Sequence, residues 1–224
     1  MSAVTSAWVE LTASDGHRLR AWEARPAGQV KGHVLILPEI FGINTHIRAV
    51  TDDYAAEGYV AIAPDLFQRV EAGFEVGYDT ASMERGRTIM QQIAMNDALT
   101  DCRAALDHLG EAGTAAVVGY CWGGTLAWAA AASLPVLAAS CYYGGGIARM
   151  LDQAPKVPTI LHFGAEDHAI PLTVAEGVKQ NYPAAVTHIY PAGHGFNCDL
   201  RASFHAESAA LAKRRTLGLL DAVF

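Results

Sequence analysis

The sequence predicts an α/β fold in which a mostly parallel central sheet is covered by helices on both faces. The chain has 224 residues, of which 51% are hydrophobic and 17% are charged, so it can bury the core of a globular domain. Short apolar runs without polar alternation recur along it, as in strands buried on both faces. Helical stretches separate these runs and indicate βαβ crossovers. We therefore predict a single domain over residues 1–224.

The chain opens differently, with two segments of alternating hydrophobicity at Trp8–Thr12 and Leu19–Ala24. The turn signal Ser14-Asp15-Gly16 lies between them, so together they predict an antiparallel hairpin. The following apolar runs predict the strands of the parallel sheet: His33–Leu37, Tyr59–Pro64, Ala115–Tyr120, Val136–Tyr142, Thr159–Gly164 and Val186–Tyr190. The stretches between and after them predict helices: Thr45–Glu57, Ser82–Leu109, Trp122–Ser133, Pro171–Asn181 and Ala206–Val223. Residues 65–80 fit neither pattern, and we expect a loop or a small lid there.

Composition and charge exclude several classes of function. The formal net charge is -7, and Lys213-Arg214-Arg215 is the one short basic run, so we expect no nucleic-acid partner. The N-terminus lacks the basic and apolar regions of a signal peptide. The most apolar stretch, Leu126–Tyr143, is broken by Ser133 and Pro135, so it predicts a buried helix and a buried strand rather than a membrane span.

The cysteine and glycine patterns indicate neither a metal nor a cofactor. The four cysteines show no CxxC spacing, which favours free thiols in a reducing, cytoplasmic protein. The chain contains no HExxH motif and no clustered Cys/His ligands, so we predict no metal site. Gly144-Gly145-Gly146 follows a strand but lacks the GxGxxG pattern, so we interpret it as a plain loop and expect no nucleotide.

The motif Gly119-Tyr120-Cys121-Trp122-Gly123-Gly124 lies between a predicted strand and an Ala-rich predicted helix. This is the context of a nucleophile elbow, the strained turn that exposes the nucleophile of the α/β-hydrolase fold. The middle position, usually Ser, is Cys121 here, and a thiolate at a helix N-terminus attacks ester carbonyls well. The amide of Trp122 would then point into an oxyanion hole. The alternative is a buried structural cysteine.

In this fold the nucleophile precedes the acid, and the acid precedes the histidine. Asp167 and His194 follow two later strands, so both would lie at the same edge of the sheet as the elbow. We predict that His194 is the base and that Asp167 holds its tautomer. Glu166 is the alternative acid, and His168 and His46 are the alternative bases.

A charged Glu39 between an apolar strand and Ile40-Phe41 is unusual, because buried carboxylates are costly unless paired. With this loop, the chain resembles the dienelactone hydrolase family. The matching pieces occur in the family's order over most of the chain: P-E-I-F-G (Pro38–Gly42), G-Y-C-W-G-G (Gly119–Gly124), Y-Y-G (Tyr142–Gly144), G-x-x-D-H (Gly164–His168) and G-H-G-F (Gly193–Phe196).

The resemblance implies further roles in the site. Glu39 would hydrogen-bond the resting thiol and help to create the thiolate. The amides of Ile40 and Trp122 would form the oxyanion hole, and Tyr142 and Tyr143 would lie near the substrate pocket.

The family also binds the carboxylate of its substrate with two arginines, and here the sequence departs from the pattern. Cys198 occupies the position four residues after the predicted base, and Arg201, three residues further on, is a candidate substitute. Arg85 and Arg87 are candidates for the second arginine, which should lie at the start of the long predicted helix. The resemblance therefore predicts the type of reaction more securely than it predicts the substrate.

We predict a hydrolase of a small-molecule ester or lactone that acts through a thioester on Cys121 and needs no cofactor. Two alternatives from other classes stay open. One is a non-catalytic member of the fold that binds a ligand or a partner protein. The other is a redox-sensing thiol protein in which Cys121 forms a bridge with Cys198, which requires Cα atoms within about 7 Å.

Overall fold

The computed structural model describes residues 4–110 and 113–224. They divide into two units, one ending at Ala116 and the other spanning Val117–Phe224. Each unit contains four hydrogen-bonded strands with helices packed on them. The single domain expected from the sequence remains a prediction.

The first unit contains β1 (Thr5–Thr12), β2 (Arg18–Arg25), β3 (Gly32–Leu37) and β4 (Tyr59–Pro64). The strands are ordered β1-β2-β4-β3. β1 and β2 pair in antiparallel orientation along their whole length, which is the predicted hairpin. β2 also pairs antiparallel with β4, and β4 pairs parallel with β3. Both β3 and β4 are almost wholly buried, which explains their uninterrupted apolar sequence.

The helices of the first unit are α1 (Thr45–Ala56), α2 (Thr80–Met90) and α3 (Met95–Leu109). The sequence predicted α2 and α3 as one helix over Ser82–Leu109, and that prediction was wrong. Buried Ile89 and Ile93 are four residues apart, but the next buried side chain is Ala98, five residues on, which a continuous helix would turn away from the same face. The backbone breaks between the two helices and restores the burial of the apolar face.

Residues 65–80, predicted as a loop or lid, contain one 3-10 turn at Leu66–Arg69. Beyond it the chain runs along the loop that follows β3, and Gly42 forms an isolated antiparallel bridge with Glu75. Gly42 has φ +76°, and a Cβ there would lie 1.9 Å from the carbonyl oxygen of Phe74. The close backbone approach therefore requires glycine and ties this segment to the loop after β3.

The second unit contains β5 (Ala115–Tyr120, from Val117 onward), β6 (Ala139–Tyr142), β7 (Thr159–Gly164) and β8 (Val186–Tyr190). These strands are ordered β5-β6-β7-β8, and every neighbouring pair is parallel. The helices are α4 (Trp122–Ser133), α5 (Leu172–Asn181) and α6 (Ala206–Val223). Because the strands are parallel, the loops after β5, β7 and β8 leave the sheet at the same edge.

None of the helices in residues 4–110 and 113–224 is long and apolar enough to cross a membrane. The most apolar one, α4, has 12 residues and is therefore about 18 Å long, against a hydrocarbon core of about 30 Å. As predicted, the stretch Leu126–Tyr143 divides between a buried helix and the buried strand β6.

Candidate active site

The turn between β5 and α4 holds Cys121 in a strained conformation, with φ 56° and ψ -113°. Its amide donates a hydrogen bond of 3.0 Å to the carbonyl oxygen of Tyr142, at the end of the neighbouring strand. A Cβ at Gly119 would lie 1.9 Å from the carbonyl oxygen of Gly123, and one at Gly124 would lie 2.3 Å from that of Tyr142. Glycines are therefore needed on both sides of the turn that presents the Cys121 side chain.

The structure brings together the three side chains that the sequence singled out in the second unit. The Nε2 atom of His194 lies 3.2 Å from the Sγ atom of Cys121. On the other side of the ring, Nδ1 lies 2.8 Å from the Oδ2 atom of Asp167. The three residues lie on the loops after β5, β7 and β8, in the chain order nucleophile, acid, base. The arrangement has the hydrogen-bond geometry of a catalytic triad.

Both carboxylate oxygens of Asp167 take part in hydrogen bonds. Its side chain is 1% exposed, and Oδ1 accepts hydrogen bonds from the amides of Ala169 at 2.8 Å and Ile170 at 3.0 Å. Oδ2 is left to accept the Nδ1 proton of His194, which fixes the ring's orientation. The alternatives Glu166 and His168 lie on the same loop but are exposed, so the structure favours Asp167 as the acid.

Burial of the His194 ring disfavours its charged form, but the hydrogen bonds to Asp167 and Cys121 outweigh this and raise its pKa from 6.5 to about 10. The imidazole is therefore protonated at neutral pH, with one N–H directed at the carboxylate and the other at sulfur.

The other cysteines do not share this environment. Cys102, Cys141 and Cys198 are fully buried, whereas Cys121 is partly exposed. Burial raises the pKa of the Cys102 and Cys141 thiols well above the usual range, so both stay protonated. All four cysteines are free thiols, and the structure contains no bridge between Cys121 and Cys198.

Tyr142 and Tyr143, predicted near the pocket, have different surroundings. The hydroxyl of Tyr142 forms a hydrogen bond of 2.8 Å with the hydroxyl of Thr216 on α6, away from the triad. The ring of Tyr143 lies 5.1 Å from the ring of His194, centroid to centroid. The ring of Tyr143 therefore lies beside the triad, whereas the hydroxyl of Tyr142 forms its hydrogen bond inside the core.

The three candidate arginines also have different surroundings. Arg201 packs against Gly195, the residue after His194, because a Cβ at Gly195 would be 2.3 Å from its Nη1 atom. Arg85, in the first unit, forms a 2.6 Å ion pair with Glu71 and is largely exposed. Arg87 is exposed on α2. Of the three, the structure brings Arg201 to the chain segment that carries the base.

The predicted oxyanion residues lie at the ends of two elements. Trp122 is the first residue of α4, so its amide lies at the positive end of that helix. Glu39 and Ile40 lie in the loop after β3 of the first unit, and their exposures are 1% and 7%. A Cβ at Gly86 of α2 would lie 2.2 Å from the Ile40 carbonyl oxygen, so close helix packing holds this loop.

Sequence reasoning missed one group of buried polar residues. His162, on β7, is fully buried and forms hydrogen bonds with Tyr190, Ser140 and Thr216. The signal was a polar imidazole inside an apolar strand, since a buried polar group needs partners. The partners themselves lie up to 54 residues away in the sequence, and no local pattern identifies them.

Comparison with known proteins identifies the family of the chain. The sequence model of the Dienelactone hydrolase family matches residues 19–224. A protein named carboxymethylenebutenolidase from Pseudomonas putida is 32% identical over 224 residues, covering 95% of this chain and 94% of the relative. Another of that name, from Pseudomonas sp. strain P51, is 31% identical and covers 95% and 93%.

Solved structures show the same fold. A provisionally named dienelactone hydrolase from Klebsiella pneumoniae superposes with a TM-score of 0.87 at 29% identity, covering 97% of this chain and 98% of that one. A dienelactone hydrolase-like promiscuous phosphotriesterase from metagenomic libraries has a TM-score of 0.78 at 19% identity and covers 99% of both chains. The predicted α/β-hydrolase fold, with helices on both faces of its sheet, is confirmed. The chain belongs to the dienelactone hydrolase family and is a hydrolase of esters or lactones.

Proposed function

We propose that this protein hydrolyses a small ester or lactone through the triad Cys121, His194 and Asp167, with a thioester intermediate. The observation that carries the proposal is the continuous hydrogen-bonded line from sulfur to imidazole to carboxylate, at 3.2 Å and 2.8 Å. The high pKa of the imidazole supports it, because the ring holds the proton that the leaving group needs.

In the proposed mechanism the Cys121 thiolate attacks the carbonyl carbon, and the carbonyl oxygen becomes an oxyanion. The amide of Trp122, at the N-terminus of α4, stabilises that charge. Collapse of the tetrahedral species breaks the C–O bond, and the His194 imidazolium gives its proton to the departing alkoxide or enolate. The products of this half-reaction are a thioester, a neutral imidazole and the released alcohol.

The second half-reaction regenerates the enzyme. Neutral His194 removes a proton from water, and the hydroxide attacks the thioester carbonyl. The second tetrahedral species expels the Cys121 thiolate and leaves the carboxylic acid product. Asp167 stabilises the imidazolium throughout and keeps the Nδ1 proton in place.

The natural substrate depends on the groups around this centre. We propose that Arg201 contacts a carboxylate on the substrate, because its guanidinium packs against Gly195, the residue after the base. Arg85 is less suited, since its guanidinium pairs with Glu71 and lies 5.7 Å above the ring of Phe74. Arg87 and the two tyrosines stay as candidate substrate contacts.

Turnover of p-nitrophenyl acetate and of lactones tests the proposal, with and without iodoacetamide. Cys121→Ala should abolish turnover, and Cys198→Ala, which removes the buried cysteine, should retain it. Turnover that survives Cys121→Ala refutes the triad. Loss of turnover only in Cys121→Ala supports the triad, and the absence of turnover on any ester favours a binding role.

The substrate contact needs a separate comparison. A pair of p-nitrophenyl esters, one neutral and one with a terminal carboxylate, would be assayed on the wild type and on Arg201→Gln. If Arg201 binds the carboxylate, the variant raises KM for the anionic ester alone, by about 10- to 100-fold. Equal effects on both esters would remove Arg201 from the substrate site.

A further inference from the structure

A buried polar network lies in the second unit, and apart from Tyr142, a candidate substrate contact, the proposed function uses none of its side chains. Its centre is His162, which is fully buried on β7. Its members come from β6, β7, β8 and α6: Ser140, Tyr142, His162, Tyr190, Arg215 and Thr216. A polar cluster that spans four elements fixes their relative positions when its hydrogen bonds are satisfied.

One assignment of protons satisfies every group of the network. A guanidinium can only donate, so the Tyr190 oxygen accepts from Arg215 at 3.0 Å. In this assignment the hydroxyl of Tyr190 donates to the Nδ1 atom of His162, 2.7 Å away. His162 carries its own proton on Nε2, which lies 3.2 Å from the hydroxyls of both Ser140 and Thr216.

This assignment requires a neutral ring at His162. Burial, together with the nearby charges of His188 and Arg215, lowers the pKa of His162 well below 6.5. The ring therefore stays neutral over the physiological range, and the tautomer set by Tyr190 is stable. The network is a permanent structural brace for the ends of the strands.

The brace ends at Tyr142 and Tyr143, which lie beside Cys121 and His194 respectively. The hydroxyl of Tyr142 is bonded to Thr216, and its carbonyl oxygen accepts the amide of Cys121 at 3.0 Å. The amide of Tyr143 donates to the carbonyl oxygen of His162 at 2.8 Å. Tyr142 thus holds the backbone of Cys121, and Tyr143 is itself held by His162.

The backbone of Tyr143 has φ 36°, in the left-handed region that aromatic residues rarely adopt. A strained conformation of this kind persists only when its surroundings impose it, and such residues cluster at functional sites. In this conformation the ring of Tyr143 packs 5.1 Å from the ring of His194 and 5.4 Å from the ring of Phe196. The imidazole is thus held between an aromatic wall and the Asp167 carboxylate.

We infer that Tyr143 is a positioning residue for His194, and that the hydrogen-bonded chain from Arg215 through Tyr190 and His162 holds it in place. The inference rests on the proposed function, since it assigns a purpose to the distance between imidazole and sulfur. Small displacements of a reacting group are costly, so a looser ring would slow every step in which His194 carries the proton.

Two substitutions test the inference, each with a matched control. Tyr143→Leu removes the aromatic wall, and Tyr143→Phe restores it without the hydroxyl. Arg215→Met removes the first donor of the chain from a partly exposed position on α6, and Arg214→Met makes the same change at the exposed neighbouring residue. Thermal unfolding followed by circular dichroism establishes that each variant is folded.

The readouts are kcat and KM for p-nitrophenyl acetate, and the rate at which iodoacetamide alkylates Cys121 as a function of pH. We expect Tyr143→Leu to lower kcat by about 10- to 100-fold with KM within about twofold of the wild type, and Arg215→Met to lower kcat by about two- to fivefold. Alkylation at neutral pH should slow in both, since the thiolate loses its imidazolium. Arg214→Met should behave as the wild type, and Tyr143→Phe, which keeps the aromatic ring, should keep the wild-type alkylation profile.

Several outcomes overturn the inference. A rise in KM with unchanged kcat in Tyr143→Leu would make Tyr143 a substrate contact instead. An unchanged alkylation profile in both Tyr143→Leu and Arg215→Met would show that the ring of His194 is held without them. If Tyr143→Leu does not fold, the comparison of Arg215→Met with Arg214→Met still tests the inference. Because alkylation needs only the contact between Cys121 and His194, it tests the inference even if no ester is turned over.

Discussion

The substitution Asp167→Asn isolates the contribution of the carboxylate to the state of the imidazole. The Oδ1 atom of Asp167 accepts amide hydrogen bonds from Ala169 and Ile170, so an asparagine would place its carbonyl oxygen there. Its NH2 group would then face Nδ1 of His194, and an NH2 group can only donate. The imidazole would have to accept at Nδ1 and carry its proton on Nε2, towards the sulfur. In that tautomer the ring cannot take a proton from the thiol or from water.

The size of the effect follows from the electrostatics. The rise of the His194 pKa from 6.5 to about 10 corresponds to a preference of about 5 kcal/mol for the charged ring, which the contacts with Asp167 and Cys121 supply against the cost of burial. Removing the carboxylate loses its share of this preference and also imposes the wrong tautomer. We expect kcat to fall by about 10³- to 10⁴-fold, which corresponds to about 4–5.5 kcal/mol of transition-state stabilisation.

The assay is ester turnover from pH 5 to pH 10, together with iodoacetamide alkylation of Cys121 over the same range. The ionisation that reports His194 should move to lower pH in Asp167→Asn, because the neutral amide no longer stabilises the imidazolium. Glu166→Gln is the control, since that exposed side chain was the alternative acid. Activity of Asp167→Asn within tenfold of the wild type, or a comparable loss in Glu166→Gln, would refute the role of Asp167.

Three further predictions concern stability. Gly119→Ala should destabilise the fold by about 2–4 kcal/mol in chemical denaturation, because its Cβ would meet the Gly123 carbonyl oxygen at 1.9 Å; a loss below 1 kcal/mol would contradict this. Gly218→Ala, at a position in α6 with no atoms within 4 Å of the added Cβ, should instead raise stability by about 0.5–1 kcal/mol and leave activity unchanged. Burial, opposed by the hydrogen bond to Arg20, raises the pKa of Asp65 from 3.8 to about 6. The stabilising contribution of the Asp65 side chain is therefore fully present below pH 3.8 and lost as the pH rises through about 6. Between pH 3.8 and pH 7.5 the free energy of unfolding of the wild type should fall by about 3 kcal/mol relative to that of Asp65→Asn. A difference between the two proteins that stays constant over that range would exclude the effect.

The sequence was sufficient to predict that Cys121, Asp167 and His194 lie together, because each of them depends on local chain chemistry. The elbow requires glycines around Cys121, and a strand precedes each of the three loops. Because parallel strands end at the same edge of a sheet, the loops after them place Cys121, Asp167 and His194 at that edge. The same reasoning predicted the opening hairpin from the alternation of its two strands, although β1 begins at Thr5, three residues before the predicted start.

Features set by contacts between distant residues could not be predicted in this way. The break between α2 and α3 depends on which face each helix buries, and the apolar pattern alone suggested one continuous helix. The packing of residues 71–78 along the loop after β3 depends on Gly42, whose requirement for glycine becomes visible only beside Phe74. The choice among Arg85, Arg87 and Arg201 is of the same kind, because sequence position does not reveal which guanidinium lies beside the base.

The protonation state of His194 distinguishes this triad from one with a serine. In the proposed mechanism a serine would require the imidazole to remove its proton during the attack, so that the ring becomes charged only in the transition state. Here the ring has a pKa of about 10 and already carries the proton at neutral pH. The proton for the leaving alkoxide or enolate is therefore in place before the substrate binds. Replacing the sulfur by oxygen in Cys121→Ser should therefore slow acylation more than deacylation.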